Sequence, residues 1–209
     1  MSAIKLTLAG LVAASSLLAT SASAAIIVDT GSPGPGGGRS NADYWLDSND
    51  WLAARFDVSS ATSITDLTGW MFAGRAPGTF TIALYSGDET PLTQLYSGVA
   101  TANLPFAFYG LHGVDWQVGP GSYWVAFEVR PGDTLQGYMP DNPPSPLAHE
   151  AYYDATQDGD YHAYDFTIAL RVDGEALAVP EPATWALMIL GFGGAGLALR
   201  RRRGALPAG

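Results

Sequence analysis

A strict alternation of apolar and polar side chains is the feature that most constrains how this chain can fold. It runs through residues 79–84, 123–129 and 166–172. A period of two places every second side chain on one face, which is typical of a β-strand lying on a core. Turns with Gly, Asp or Pro separate such stretches, and no sustained helical period interrupts them. Weaker versions of the pattern occupy residues 52–58, 64–71, 92–96, 114–118 and 150–154.

About eight short strands at this spacing predict an all-β fold, an antiparallel β-sandwich of jelly-roll type. The chain has 209 residues, of which 25–174 lie between two distinctive ends. That segment is long enough for one domain around one hydrophobic core. Because the chain contains no cysteine, disulfide bridges, thiolate metal sites and cysteine nucleophiles are excluded.

The charge of the middle segment excludes one class of partner. Five arginines stand against nineteen acidic residues between positions 25 and 175, a net charge near −14. Because such an acidic surface cannot neutralise phosphates, we expect no binding to nucleic acid. It is compatible with cations, with neutral sugars, or simply with solubility.

The first 24 residues have the pattern of a secretory signal peptide. Lys5 precedes a short apolar stretch over 6–18, and Ala22-Ser23-Ala24 is the small-x-small pattern that signal peptidase needs. We expect export through the Sec pathway with cleavage after Ala24, or after Ala22 as second choice. The apolar stretch is short of the roughly 20 residues that span a bilayer stably.

The C-terminal region is the most informative part of the sequence. Residues 183–199 are seventeen residues without a charge, and a cluster of four arginines follows directly. A helix of that length covers about 25 Å, which predicts a transmembrane helix at the short end of the range. The positive-inside rule would keep residues 200–209 cytoplasmic, with Trp185 as an interfacial anchor and 175–182 as the linker to the domain. The four arginines are Arg200, Arg201, Arg202 and Arg203.

The order of these parts resembles a known family. Val179-Pro180-Glu181-Pro182, Trp185, a Gly-rich apolar segment and the arginine cluster are similar to the PEP-CTERM sorting domain of proteobacterial type. The resemblance covers residues 179–203. It implies recognition by an exosortase in a Gram-negative bacterium that makes extracellular polysaccharide. It also implies an inner-membrane stage with a periplasmic ectodomain, followed by delivery to the cell surface or the biofilm matrix.

Catalytic patterns are absent from the middle segment. Its three histidines do not pair at metal-ligand spacing, and neither an H-E-x-x-H nor a G-x-S-x-G pattern occurs. The best candidate for a cation site is an acidic cluster with Asp154, Asp158 and Asp160, whose oxygens suit calcium. It lacks the EF-hand pattern, and Asp-Gly is also ordinary turn chemistry, so a plain turn is the alternative.

Aromatic residues are the other candidate for function, because exposed rings stack on the faces of sugars. The candidates are Trp45, Trp51, Trp116 and Trp124, with several tyrosines available beside them. The alternative is that these tryptophans fill the core of a small sandwich. We therefore expect a non-enzymatic surface or matrix protein in contact with exopolysaccharide. An exported polysaccharide hydrolase, and a purely structural or adhesive biofilm protein, are the competing hypotheses.

Overall fold

The computed structural model describes residues 25–34, 43–177 and 182–203. Within these ranges the chain forms twelve strands and one helix. The strands are β1 (Ala25–Asp29), β2 (Asp43–Leu46), β3 (Asp50–Val58), β4 (Thr62–Ala73), β5 (Gly78–Ser86), β6 (Thr93–Ala102), β7 (Ala107–Val118), β8 (Gly121–Glu128), β9 (Gly137–Pro140), β10 (Glu150–Asp154), β11 (Tyr161–Tyr164) and β12 (Leu170–Ala176), and the helix is α1 (Pro182–Arg203).

The strands form two antiparallel sheets, as the alternation predicts. The first sheet has the order β1-β12-β4-β9-β2, with β7 on the other edge of β4. The second has the order β11-β10-β3-β8-β5-β6. Without the short strands β2, β9, β10 and β11, the first sheet has the order β1-β12-β4-β7 and the second has the order β3-β8-β5-β6. If these eight strands are renumbered 1 to 8 along the chain, the two orders are 1-8-3-6 and 2-7-4-5. That is the strand order of a jelly roll, made of two Greek keys.

All eight stretches selected from the sequence coincide with strands or parts of strands. The third strong stretch begins later than expected, because residues 166–169 precede the strand, although Phe166 and Ile168 are buried. The last strand also continues past residue 174: Ala176 pairs with Thr62 of β4. The domain therefore extends into the segment that the sequence assigned to a linker.

The hydrophobic core lies between the two sheets. Phe80 and Ile82 of β5 and Phe127 of β8 are fully buried there, on the faces that the alternation assigned to the core. Full burial of each such side chain contributes about 1.5–3 kcal/mol. Trp116 of β7 belongs to this core and stacks on Tyr96 with a ring separation of 5.4 Å.

A second, smaller cluster covers the outer face of the second sheet. Trp124 of β8 is fully buried there among small residues, and its indole N–H donates to the carbonyl of Gly87 at 3.0 Å. Its position opposite the main core follows the alternation, yet the ring is covered rather than exposed. The small residues that make room for it are Ala53, Ala126 and Ala151.

Beside this cluster, the buried carboxylate of Glu128 is fully hydrogen-bonded. It accepts hydrogen bonds from the hydroxyl groups of Tyr85 at 2.8 Å and Tyr161 at 2.7 Å, and it pairs with the guanidinium of Arg130. Tyr161 belongs to β11 and Tyr85 to β5, so one carboxylate ties the edge of the sheet to its middle. Burial, followed by the negative charge of Glu128, raises the pKa of both tyrosines.

The C-terminal helix starts at Pro182, a position where proline is well tolerated because the first turn needs no N–H donor. Its apolar side chains from Leu187 to Phe192 are between 45 and 75% exposed. The helix also contains four glycines between positions 191 and 196, which contribute no apolar side chain. In the described part of the chain, no helix combines the length and the apolar content that a membrane crossing requires. The helix over 183–199 is thus confirmed as a helix, whereas the predicted transmembrane span is not supported.

Gly110 of β7 offers a test of the first sheet. A Cβ at this position would overlap the carbonyl oxygen of Leu67 and lie 2.7 Å from Cα of Thr68, both on the paired strand β4. Because this obstacle is backbone, we expect Gly110→Ala to lower the free energy of unfolding by at least about 2 kcal/mol. Urea denaturation of the purified protein measures it. Gly119→Ala is the matched control, since nothing lies within 4 Å of its Cβ; equal losses in both variants would contradict the expectation.

Candidate functional site

A groove of about 380 Å³ opens at one end of the sandwich, between β2 of the first sheet and β3, β10 and β11 of the second. Its walls come from four strands, the β10–β11 turn and the segment before β12. Five aromatic and four polar side chains line it: Tyr44, Trp45, Asp50, Tyr152, Asp154, Gln157, His162, Tyr164 and Phe166. Such a mixture of rings and convergent polar groups is typical of a ligand site.

The aromatic wall contains two strongly exposed rings. Trp45 is 54% exposed and Tyr164 is 63% exposed. Trp45 is supported from behind by Tyr138 of β9, its partner across the strand pair, at a ring separation of 4.3 Å. Tyr164 contacts Phe166 at 6.3 Å, and Phe166 in turn contacts Tyr44 at 4.8 Å. Tyr164 is therefore held by rings inside the groove. Trp45 projects from the face of β2 opposite to Tyr44 and lies with Tyr138 at the rim of the groove.

The β10–β11 hairpin supplies the opposite wall. Tyr152 stands directly across from His162, and Tyr164 lies two residues further along β11, so all three side chains project from the same face. The hydroxyl of Tyr152 donates to the carboxylate of Asp50 at the start of β3. Burial, followed by this hydrogen bond, raises the pKa of Tyr152.

Asp50 is the most enclosed carboxylate of the lining. Burial raises its pKa, and the charges of Asp47 and Asp154 act in the same direction against the hydrogen bond from Tyr152. Asp47 lies just outside the groove, where its carboxylate accepts the backbone N–H of Asn49 at 2.8 Å. Three like charges thus surround one end of the groove.

The acidic cluster predicted as a calcium site forms a turn. Asp154 accepts hydrogen bonds from the backbone N–H of Thr156 at 2.7 Å and the side-chain amide of Gln157 at 2.8 Å. Asp158 lies 2.9 Å from Nε2 of His162 and accepts the N–H of Asp160 at 3.2 Å. These bonds lower the pKa of Asp154 and of Asp158.

The carboxylates of Asp154 and Asp158 are therefore engaged in capping the turn, whereas Asp160 takes part through its backbone N–H. Across the described ranges, no group of three or more His, Cys, Asp or Glu side chains is arranged to hold a metal ion. The structure does not bring Asp154, Asp158 and Asp160 together as a ligand set. Only Asp154 of the three lines the groove.

Of the four tryptophans predicted to stack on glycans, Trp45 alone lies in the groove. Trp51 projects from the opposite face of the second sheet and stacks on Tyr153, with a ring separation of 3.9 Å and an interplanar angle of 9°. Trp116 and Trp124 are core residues, 9% and 0% exposed, so their assignment to a binding surface was wrong. Alternation could not show that Trp124 is buried, because the outer face of the second sheet is covered at this strand.

Sequence reasoning missed the contributions of Asp50, Gln157 and Phe166. Their signal was weak, because Asp50 lies more than 100 positions before Gln157 and Phe166 and approaches them only through the pairing of β3 with β10. Residues of the sorting signal are separate from the groove: Pro182 begins α1, Trp185 lies in its first turns, and Arg200–Arg203 end it. Pro180, Glu181 and the predicted cleavage residues Ala22 and Ala24 lie outside the described residues.

Glu150, at the start of β10, is a buried acid next to the groove. It is 6% exposed, stands across the strand pair from Tyr164, and its Oε1 has no hydrogen-bond partner. Burial raises its pKa from 4.5 to about 7, and the charges of Asp165 and Asp141 add to the effect.

Glu150 therefore makes the stability depend on pH in a definite direction. Because the folded state binds this proton more tightly than the unfolded state, the stabilisation is present below about pH 4.5 and is lost as pH rises through 7. In the unmodified protein, this effect lowers the free energy of unfolding by about 2–3 kcal/mol between pH 4.5 and 8. We expect Glu150→Gln to abolish that decrease, because glutamine does not ionise. Urea unfolding of both proteins across this range measures it, and parallel stability curves would contradict the expectation.

Comparison with known proteins bears on the C-terminal region. No curated protein matches the chain. A family model described as the PEP-CTERM protein-sorting motif matches residues 178–203. The match spans the proline pair, the glycine-rich helix and the arginine cluster, and it confirms the resemblance found in the sequence. Residues 178–203 therefore carry a PEP-CTERM protein-sorting motif, which marks the chain as an exported protein that an exosortase processes.

Proposed function

We propose that this protein is a non-enzymatic component of the bacterial cell surface or extracellular matrix, and that it binds exopolysaccharide in the groove. One observation carries the proposal: the exposed rings of Trp45 and Tyr164 stand beside carboxylate, amide and imidazole groups in the same groove. Sugars combine apolar ring faces with a rim of hydroxyl groups, and this arrangement offers a partner for each.

The sorting motif supports the proposed location. Signal peptidase removes residues 1–24, and exosortase then acts on the tail near Pro180-Glu181-Pro182 during or after an inner-membrane stage. Processing there leaves the sandwich intact, because its last strand ends at Ala176. The released domain would then meet the polysaccharide outside the cell.

A polysaccharide hydrolase is the second candidate. Glu150 favours it, since a carboxyl with a pKa of about 7 has the value that a general acid requires near neutral pH. Against it, Oε1 of Glu150 is buried and does not line the groove. Release of reducing ends from a bound polysaccharide would favour the hydrolase, whereas binding without turnover favours the first proposal. Cell aggregation without any affinity for glycans would instead favour a structural or adhesive role.

The groove is tested by removing its exposed rings. We expect Trp45→Ala and Tyr164→Ala each to weaken binding of the host exopolysaccharide at least tenfold, because each removes an exposed ring of the groove lining. Affinity electrophoresis against the purified polysaccharide measures the change. Trp51→Ala is the matched control, since Trp51 lies on the opposite face of its sheet. Equal losses in all three variants would contradict the placement of the site.

The sorting motif is tested in the bacterium. We expect replacement of Pro180, Glu181 and Pro182 by alanine to leave unprocessed protein in the membrane fraction, because the extended recognition segment is lost. Immunoblots of membrane, periplasmic and extracellular fractions measure it. Pro207→Ala is the control, since position 207 lies outside the matched residues 178–203. Unchanged processing of the triple variant would overturn recognition at this motif.

A further inference from the structure

We propose that the groove prefers a cationic polysaccharide, one whose sugars carry free amino groups, over neutral and acidic ones. This inference rests on the proposed glycan-binding function and specifies the charge of the ligand. The groove has an uneven chemistry: its polar lining consists of two carboxylates, one amide and one histidine. No described arginine or lysine contributes to that lining.

Charge complementarity is the first argument. Asp50 and Asp154 line the groove, and Asp47 stands behind Asp50 close enough to influence its ionisation. The histidine of the lining, His162, is engaged with Asp158 at 2.9 Å. That contact raises the pKa of His162, so the imidazolium of the lining is already paired with Asp158. An ammonium group placed beside Asp50 and Asp154 would relieve the repulsion between these two carboxylates.

The acceptor geometry of Asp50 is the second argument. One of its oxygens, Oδ1, accepts the hydroxyl of Tyr152. Its other oxygen, Oδ2, can accept a hydrogen bond from a ligand within the groove. A charge-assisted hydrogen bond from an ammonium group to a carboxylate is about twice as strong as one between neutral groups.

The exposed rings fit the same ligand. Tyr164, and Trp45 at the rim, are exposed rings of the same lining as the carboxylates, and aromatic faces attract cations as well as the apolar sides of sugar rings. Cation–π attraction is worth roughly 0.5–1 kcal/mol at exposed sites. An N-acetylated sugar loses this attraction together with the carboxylate contacts, although its ring still stacks.

The surroundings of the groove extend the negative potential inward. Asp141 and Asp165 supply that potential, and their charges act on Glu150, which lies across the strand pair from Tyr164. Glu150 itself is mostly protonated at pH 6, because its pKa is raised to about 7. The same two aspartates act on Tyr44 of the lining. An acidic polysaccharide would therefore be repelled both by the lining and by the residues behind it.

The experiment compares three hexasaccharides that differ in charge. Calorimetry with the purified full-length chain uses oligomers of glucosamine, N-acetylglucosamine and guluronate at pH 6, where the amines are protonated. We expect the glucosamine oligomer to bind at least tenfold tighter than the N-acetylated one, and the guluronate oligomer not to bind. Raising sodium chloride from 50 to 300 mM should weaken the glucosamine complex severalfold and leave the N-acetylated complex unchanged.

Variants locate the effect. Asp50→Asn should reduce the preference for glucosamine to less than threefold, because the affinity for the glucosamine oligomer falls by more than the affinity for the N-acetylated one. Glu89→Gln removes one negative charge at an exposed position outside the groove lining and should leave the preference intact. Thermal unfolding checks that both variants are folded; if Asp50→Asn is unfolded, the comparison of oligomers and salt in the unmodified protein decides.

The outcomes separate this inference from the function on which it rests. Equal affinity for the two amino-sugar oligomers, or tighter binding of guluronate, overturns the charge preference and leaves glycan binding standing. Failure of all three oligomers and of the host exopolysaccharide to bind overturns both. A preference for glucosamine that does not change with salt would also contradict the proposed charge preference, because attraction between exposed charges weakens as salt is added.

Discussion

Burial of two apolar sheet faces against each other is the interaction on which the rest of this structure depends. The chain has no disulfide bridge, so the fully buried residues of β3, β4, β5, β8 and β12 must stabilise the domain by themselves. A domain of this size buries enough surface to do so. The many carboxylates outside this core oppose compaction through their mutual repulsion, which makes the apolar contribution still more necessary.

The groove lies at the end of the sandwich where the apolar core stops. The short strands β2, β10 and β11 extend the two sheets beyond the eight strands of the jelly roll. There, the inner faces carry tyrosines and carboxylates in place of aliphatic residues, as at Tyr152 and Asp50. Side chains that elsewhere would close the core are replaced by groups that favour contact with water, and a site opens between the sheets.

The sequence predicts those features of this protein that depend on residues close together in the chain, and it does not predict those that depend on distant residues. The strands β5 and β8 were predictable because alternation is read within one segment, and the sorting motif because its three parts are consecutive. The groove was not, since Asp50 and Tyr152 meet only through strand pairing. The burial of Trp124 was unpredictable for a related reason: Ala53 and Ala151, which make room for it, belong to other strands. The acidic cluster of the predicted calcium site has a composition that suits a ligand set, but the carboxylates of Asp154 and Asp158 accept hydrogen bonds within the turn.

The attachment of the β10–β11 hairpin separates the part of the protein that meets a ligand from the part that keeps it folded. This hairpin joins the sheet along one edge of β3, and its outer face is held there by the hydrogen bond of Tyr161 to Glu128 and the stacking of Tyr153 on Trp51. Most of one groove wall can therefore vary in sequence while the pairing of the eight main strands is retained. Related domains with the same core are free to diverge in ligand preference, since selection can act on the hairpin with little cost to the stability of the scaffold.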